Sequence, residues 1–338
     1  MEFNQVSVMS VAHVDPPHRI TSQSIDDQLA ETMQRIGARP GLLEGLSGIR
    51  ARRFWDEDTR PSQVAAQAGR KALERAGISG DQLGVVINTS VCRDFIEPST
   101  ACLVHGELGL PSTCLNFDLG NACLAFINGM EVAGQMIESG AADYALVVDG
   151  EGSRDVTEAT IARLQDQDCK AEDFRAQFAA LTLGSGAAGM VLARSDLAPE
   201  GHRFLGCVND AATEWRHLCE GQRDYMQTDT SGLLTQGLKL AAKTWQRGRE
   251  ERNWRPGYFD QFVIHQVSHV HTEKLCQTLG IDQERCFKIY QEFGNIGPAG
   301  VPITLSKAVE AGQIQTGDRV ALLGIGSGLN CSMGEIVW

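Results

Sequence analysis

Leu115-Asn-Phe-Asp-Leu-Gly-Asn-Ala-Cys123-Leu-Ala-Phe-Ile-Asn-Gly-Met130 changes its period halfway along. Leu115, Phe117 and Leu119 alternate with Asn116 and Asp118, the pattern of a half-buried strand. Gly120-Asn121 breaks the run, and from Phe126 apolar residues return at Ile127, Met130, Ala133, Met136 and Ile137, the pattern of a helix. Cys123 therefore stands where a strand turns into a helix, within the helix's first turn. Unpaired N–H groups and the positive end of the helix dipole favour a thiolate there, so the thiol is expected to titrate below the ~8.5 of a free cysteine. The same position also suits a small buried hydrophobe, the commoner use of a free cysteine.

Working outward, helix and strand patterns alternate on both sides, which reads as an α/β chain. On the N-terminal side lie a helical stretch at Asp26–Ile36, a helix opened by Pro61 and running to about Ala76, a strand at Gly84–Ser90, a loop at Val91–Pro98 and a helix from Ser99. On the C-terminal side, Tyr144–Asp149 is a buried strand and residues 151–182 form a polar excursion over the surface or over a site. Leu183–Leu192 is glycine-rich but lacks the order of a dinucleotide fingerprint. Tyr258–His265 is a strand ending on a histidine, and Asn295 opens a Pro/Gly turn before a helix at Pro302–Ala311. Arg319–Cys331 is a strand running into a glycine-rich turn.

The 338 residues are 42% apolar, enough for a large core, and carry a formal net charge of −13. That balance argues against general binding to nucleic acid or an anionic membrane surface. A phosphorylated ligand would need a local basic cluster, and Arg50, Arg52 and Arg53 form the densest one near the start, either as a docking site or as a solvated turn. The N-terminus reads as a first strand rather than a signal peptide, and no apolar run approaches the ~18–20 residues of a membrane span. Ten cysteines without a Cys-x-x-Cys pair suit reduced thiols in the cytoplasm. His265, His269 and His271 lack the glutamate of a zinc motif, so no metal is expected, and His269 and His271 read as ordinary helix-start residues. Asp118, Asp149 and Glu151 read as caps and turns, and Cys92 and Cys102 as packing residues.

The chain also repeats itself. Gly120-Asn121, a helix, Asp143 and a strand are matched by Gly294-Asn295, a helix, Asp318 and a strand, at offsets of 174 and 175 residues. Two similar halves, 1–182 and 183–338, would place Cys123 and Asn295 at pseudo-symmetric helix starts.

These residues resemble the thiolase superfamily, and within it the β-ketoacyl synthase III enzymes. Gly48-Ile-Arg-Ala-Arg-Arg53, Asp118-Leu-Gly-Asn-Ala-Cys123, Ile264-His-Gln266, Gly294-Asn-Ile-Gly-Pro-Ala-Gly-Val-Pro302 and Gly324-Ile-Gly-Ser-Gly-Leu329 are similar to that family's motifs, in the same order. The resemblance implies a five-layer αβαβα fold built from two duplicated halves, a homodimer and a Cys-His-Asn site. Cys123 would accept the acyl group, His265 and Asn295 would stand beside the substrate, and backbone N–H groups of Cys123 and Ser327 would form an oxyanion hole. Coenzyme A thioesters would be the substrates, with no further cofactor.

Three departures narrow the expectation. Val267-Ser268 and Gly184-Ser-Gly186 differ from the family's usual residues, and Glu97 precedes Pro98-Ser-Thr-Ala-Cys102 where synthases commonly have phenylalanine. In the family that loop reaches across the dimer into the partner's site. A decarboxylating synthase needs no strong base there, whereas a carboxylate could remove an α-proton from an ordinary acyl thioester. The pattern is similar to that of the subfamily opening bacterial long-chain olefin biosynthesis. It implies head-to-head, non-decarboxylative Claisen condensation of two fatty acyl-CoA molecules to a 2-alkyl-3-oxoalkanoate, with later olefin-pathway enzymes as downstream partners. A decarboxylating synthase using malonyl-carrier protein, a cysteine thioesterase and a non-catalytic dimer partner are the other readings.

Overall fold

A computed structural model describes residues 2–338. Nine strands form its main sheet: β1 (Val6–Val14), β2 (Val85–Asn88), β3 (Leu115–Asp118), β4 (Tyr144–Glu151), β5 (Gly186–Arg194), β6 (His202–Ala211), β7 (Gln261–Ile264), β8 (Arg319–Gly326) and β9 (Asn330–Val337). Their spatial order is β7-β8-β9-β6-β1-β5-β4-β2-β3. In one half β2 and β4 are parallel while β4–β5 and β5–β1 are antiparallel. In the other, β7 and β8 are parallel while β8–β9 and β9–β6 are antiparallel. The strand that β3 adds beside β2 has as its counterpart only a parallel bridge between Phe262 and Cys286.

The repeat is thus visible in the backbone. β4 at residues 144–151 and β8 at 319–326 lie 175 residues apart, as do the starts of the helices Ala125–Glu138 and Gly300–Glu310. The halves meet at a narrow seam where β1 and β6 pair only through Ser7–Arg203 and Val8–His202. β5, which follows the division expected at residue 182, lies between β1 and β4, so in the sheet the halves part between Arg194 and His202.

Burial explains the layers. Of the apolar positions read from the sequence, Phe126, Ile127, Met130, Ala133 and Ile137 are buried against both halves of the sheet, together with Val301, Ile303 and Leu305 of the second central helix, and Met136 is partly buried. The helix Pro61–Ala76 starts with proline at its first position and ends on Gly77 at φ +68°. With Thr100–Leu108 it covers the outer face of the first half, through Ala65, Ala72, Leu73 and Val104. Thr230–Arg252 and His269–Leu279 cover the second half through Leu240, Trp245, Leu275 and Cys276. The order is helix, sheet, helix, sheet, helix: the five-layer α/β fold. Strands with both faces covered read as continuous apolar runs, as Ala145–Val148 does.

The polar excursion folds as helices Arg154–Leu164 and Ala171–Gln177. Ile161, Leu164 and Phe174 pack there with Ile25, Leu29, Met33 and Leu43 from the N-terminal region, forming a helical cap. Among the described residues no helix is long and apolar enough to cross a membrane.

Candidate active site

Cys123 sits in a tight turn, Ala122–Leu124, between β3 and the central helix Ala125–Glu138. Ala122 adopts φ +45°, an uncommon conformation for a residue with a Cβ. Side-chain amides brace the turn: Asn121 Nδ2–H donates to Asn128 Oδ1 at 2.7 Å, and Asn330 Nδ2–H donates to Asn121 Oδ1 at 3.0 Å. The glycine-rich turn after β8 packs against it, since a Cβ on Gly326 would lie 3.3 Å from the Cys123 nitrogen.

His265 follows β7 directly, its backbone N–H donating to Leu323 O at 2.7 Å. Asn295 is held from both sides, its N–H donating to Thr182 O at 3.0 Å and its carbonyl accepting Gly184 N–H at 2.8 Å. Gly184 lies so close to Phe293 O that any side chain would collide, a local reason for glycine in the Gly184-Ser-Gly186 turn. Gly297 N–H occupies Asn295 Oδ1 at 3.0 Å, which fixes the amide with Nδ2 as the donor left for a ligand.

Cys123, His265, Asn295 and Ser327 line one cavity of about 810 Å³. Its other walls are mostly apolar, with Ile36, Leu42, Phe174, Phe178, Leu233 and Ile325 among them. The helical cap supplies several of these residues. The cavity is large enough for a drug-sized or lipid-sized ligand and offers a few polar groups at one end.

Electrostatics correct the thiolate expectation. Burial pushes the Cys123 thiol up to about 12, with Cys219 and the buried carboxyls Glu151 and Asp149 adding to the rise. Burial likewise holds His265 down to about 3, helped by nearby His271. At rest the thiol and the imidazole are both neutral, because desolvation outweighs the helix end. Neither ring nitrogen of His265 has a protein partner, so both remain available to substrate.

Of the other candidates, Glu97 is exposed and does not line this cavity. It lies on a loop with exposed Phe95 and Ile96, outside the constellation that one chain assembles. The arginines scatter. Arg50 is exposed and pairs with Glu292 at 3.1 Å, and Arg53 stacks on Phe293 at 5.5 Å. Arg52 is fully buried and donates to Ser22 Oγ at 3.2 Å, so its guanidinium cannot greet a phosphate at the surface. The arginine that does line the cavity is Arg175, from the cap.

His271 was read as an ordinary helix-start residue, yet it too lines the cavity, with Nδ1 unpartnered and burial holding it to about 4. The available signal was its place: the third residue of a helix begun at His269 points back over the strand end at His265. Glu151, read as a turn residue, is buried beside the site. Among the described residues no three His, Cys, Asp or Glu side chains gather as a metal site.

Two family profiles match: 3-oxoacyl-[acyl-carrier-protein] synthase III over residues 117–211, and the C-terminal region of the same synthases over residues 250–338. A protein named acyl-CoA:acyl-CoA alkyltransferase from Xanthomonas campestris pv. campestris is 52% identical, over 100% of both chains. A Shewanella oneidensis protein of the same name is 34% identical, again over 100% of both. The crystal structure of cerulenin-bound Xanthomonas campestris OleA superposes with a TM-score of 0.99 at 52% identity, covering 100% of this chain and 98% of that one. The fold and site define a thiolase-fold condensing enzyme of the synthase III kind. Within that class, the chain belongs to the acyl-CoA:acyl-CoA alkyltransferase (OleA) family.

Solved variants of the Xanthomonas protein alter one glutamate, one cysteine and one histidine, spaced by 26 and then 142 residues. Glu97, Cys123 and His265 stand at the same two spacings here. A serine variant of that cysteine was solved with bound lauric acid and lauroyl-CoA, at a TM-score of 0.98 and 51% identity, covering 99% of this chain and 100% of that one.

Proposed function

We propose that this protein condenses two long-chain fatty acyl-CoA molecules head to head, without decarboxylation, to a 2-alkyl-3-oxoalkanoate. The observation that carries the reading is the apolar cavity with Cys123, His265 and Asn295 on its wall. The Cys123 thiol attacks the first thioester carbonyl, and coenzyme A leaves with the thiol's proton. Backbone N–H groups of Cys123 and Ser327 stabilise the oxyanion. Glu97 of the partner subunit's loop then removes the α-proton of the second acyl-CoA, while His265 Nε2–H and Asn295 Nδ2–H stabilise the enolate. The enolate carbon attacks the acyl-cysteine, a carbon–carbon bond replaces the carbon–sulfur bond, and the proton held by Glu97 returns to the Cys123 sulfur, leaving a 2-alkyl-3-oxoacyl-CoA. Water then hydrolyses that thioester, giving the 2-alkyl-3-oxoalkanoate and releasing the second coenzyme A. No oxidation or reduction occurs, so the chemistry calls for no redox cofactor.

The homodimer is part of the proposal. β3 is an edge strand with Leu115 52% exposed, and the loop after β2 exposes Val91, Phe95 and Ile96 at 56%, 46% and 98%, apolar surface that a second copy would cover. Arg50 and Arg53 remain candidates for the coenzyme A phosphates. Ten free thiols fit a reducing cytoplasm, where later olefin-pathway enzymes would take the product.

Purified protein given tetradecanoyl-CoA with no malonyl donor tests the reading. Condensed product supports it. Free fatty acid alone, or product only when a malonyl donor is added, refutes it in favour of a thioesterase or a decarboxylating synthase. In the same assay Glu97→Gln should acylate Cys123 and form no carbon–carbon bond.

A further inference from the structure

The loop between β2 and the helix Thr100–Leu108 carries Glu97 in the open, and three carboxylates hold it. Asp118 accepts Thr100 N–H at 3.0 Å and Ala101 N–H at 2.8 Å beyond the loop's far end. Asp94, in the loop itself, accepts Ser62 N–H at 2.9 Å and Ser62 Oγ–H at 2.5 Å. At the near end Glu151 accepts Val91 N–H through Oε1 at 2.6 Å and Cys92 N–H through Oε2 at 3.3 Å.

Glu151 differs from the other two anchors in what lies behind it. It is buried, with 5% of its surface exposed, although a buried carboxyl is costly to keep. A Cβ on Gly297 would stand 3.7 Å from its carboxyl carbon, and Gly297 N–H is the group that orients Asn295. Its own backbone carbonyl is fixed by Trp55 Nε1–H at 2.9 Å. The neighbouring Asp149 accepts Thr89 Oγ1–H at 2.6 Å, and Gly150 N–H donates to Ser90 Oγ at 2.8 Å, which ties the root of the loop to β4. One carboxyl group thus grips the Glu97 loop and backs the Asn295 turn, and the reaction written above gives it no chemical step.

We propose that Glu151 is a positioning residue for carbon–carbon bond formation, setting the loop that carries Glu97 against the turn that carries Asn295. The proposal rests on the reading of Glu97 as the base. Because that base serves the partner's acyl-cysteine, Glu151 touches its own site and shapes the other one.

The test compares Glu151→Asp, which keeps the acid but retracts it by one methylene from both amides, with Glu151→Gln, which keeps the reach and the acceptor oxygen for Val91 N–H while giving up the longer contact from Cys92 N–H. Tetradecanoyl-CoA is the probe. Acylation of Cys123 is read by protein mass and coenzyme A release, and condensed product is separated from free fatty acid. Glu151→Asp should acylate within about threefold of the parent, lose at least tenfold in condensation, and divert acyl groups to free fatty acid. Its Val91 and Cys92 amides should exchange hydrogen faster. Glu151→Gln should condense within about threefold of the parent. The proposal is overturned if Glu151→Asp condenses normally, if acylation falls in step with condensation, or if Glu151→Gln is as impaired as Glu151→Asp. Glu97→Gln run alongside separates the two ideas: normal condensation there refutes the base, while the Glu151 comparison still reads the positioning.

Discussion

A thiol-reactive disulfide reports whether Cys123 rests as thiol or thiolate. A helix N-terminus stabilises an anion by ~0.3–1 kcal/mol, and at most by ~2 in partly buried geometry. The rise from an ordinary 9.0 to about 12 at Cys123 corresponds to about 4 kcal/mol at ~1.36 per unit. Burial therefore wins. At pH 7 the thiolate fraction is on the order of 10⁻⁵, against ~3 × 10⁻² for a free thiol titrating near ~8.5. The more basic thiolate is also more nucleophilic, and a Brønsted slope of ~0.4–0.5 returns a factor of roughly 25–55. Cys123 should react with 4,4′-dithiodipyridine ~100-fold more slowly than a small free thiol at pH 7. Its rate, followed on the isolated peptide by mass spectrometry, should climb tenfold per pH unit from pH 6 to beyond pH 9. Restricted access would lower the whole line without changing its slope. A rate that levels off near pH 6–7 would refute the burial argument and restore a resting thiolate.

Three further outcomes are expected. Asn295→Ala should leave Cys123 acylation near the parent rate while condensation falls by roughly 10²–10³, the usual cost of one preorganised donor, measured by product formation. Arg52→Met should lower stability by about 2–3 kcal/mol in chemical denaturation, because Asp26 and Ser22 lose a buried charged partner. It should leave the KM for acyl-CoA unchanged. His271→Leu should flatten the acid side of the stability curve. The unfolded chain takes up a proton near 6.5 and the folded one only near 4, so stability present above pH 6.5 drains at ~1.4 kcal/mol per unit as pH falls towards 4. Thermal melts across that range should show the parent losing that slope relative to the variant.

Local pattern made the elbow and the central helix legible. Periods of two and then 3.6 around Cys123 mark a strand and a helix whatever packs on them. The helix positions are buried except for the partly buried Met136, whereas at the edge strand Phe117 and Leu119 are only partly buried and Leu115 is exposed. The half-chain offset was legible for the same reason, since β4 and β8 keep it residue for residue. What sequence could not convey depends on which distant elements meet. Arg52 looked like part of a basic cluster and is interior because Ser22–Gln28 folds over it. His271 faces the cavity because its helix begins just after the strand end at His265, and part of the cavity's apolar wall, Phe174 and Phe178, comes from a segment with few apolar anchors of its own. Glu97 shows the converse: its carboxylate was legible, yet it is exposed and lines no part of the cavity this chain assembles.

The two copies of the repeated turn show how a duplicated frame acquires one site. Asn121 and Asn295 are equivalents, each following a glycine at the end of its segment, but the helix starts four residues after Asn121 and five after Asn295. In the first copy the asparagine spends both ends of its amide on Asn128 and Asn330, and the position two residues on is Cys123. In the second copy the position two residues on is Gly297, at φ +57°, which turns its N–H back onto Asn295 Oδ1. With no side chain there, that position offers no second nucleophile, and Asn295 keeps Nδ2 unspent on the wall of the cavity that Cys123 also lines. Giving Gly297 a side chain would set a Cβ against Glu151 and force an L-residue into a left-handed conformation. The extra residue and the glycine together leave Asn295 Nδ2 unspent where Asn121 spends both ends of its amide, so the division of labour proposed for Cys123 and Asn295 would follow from how the two turns diverged.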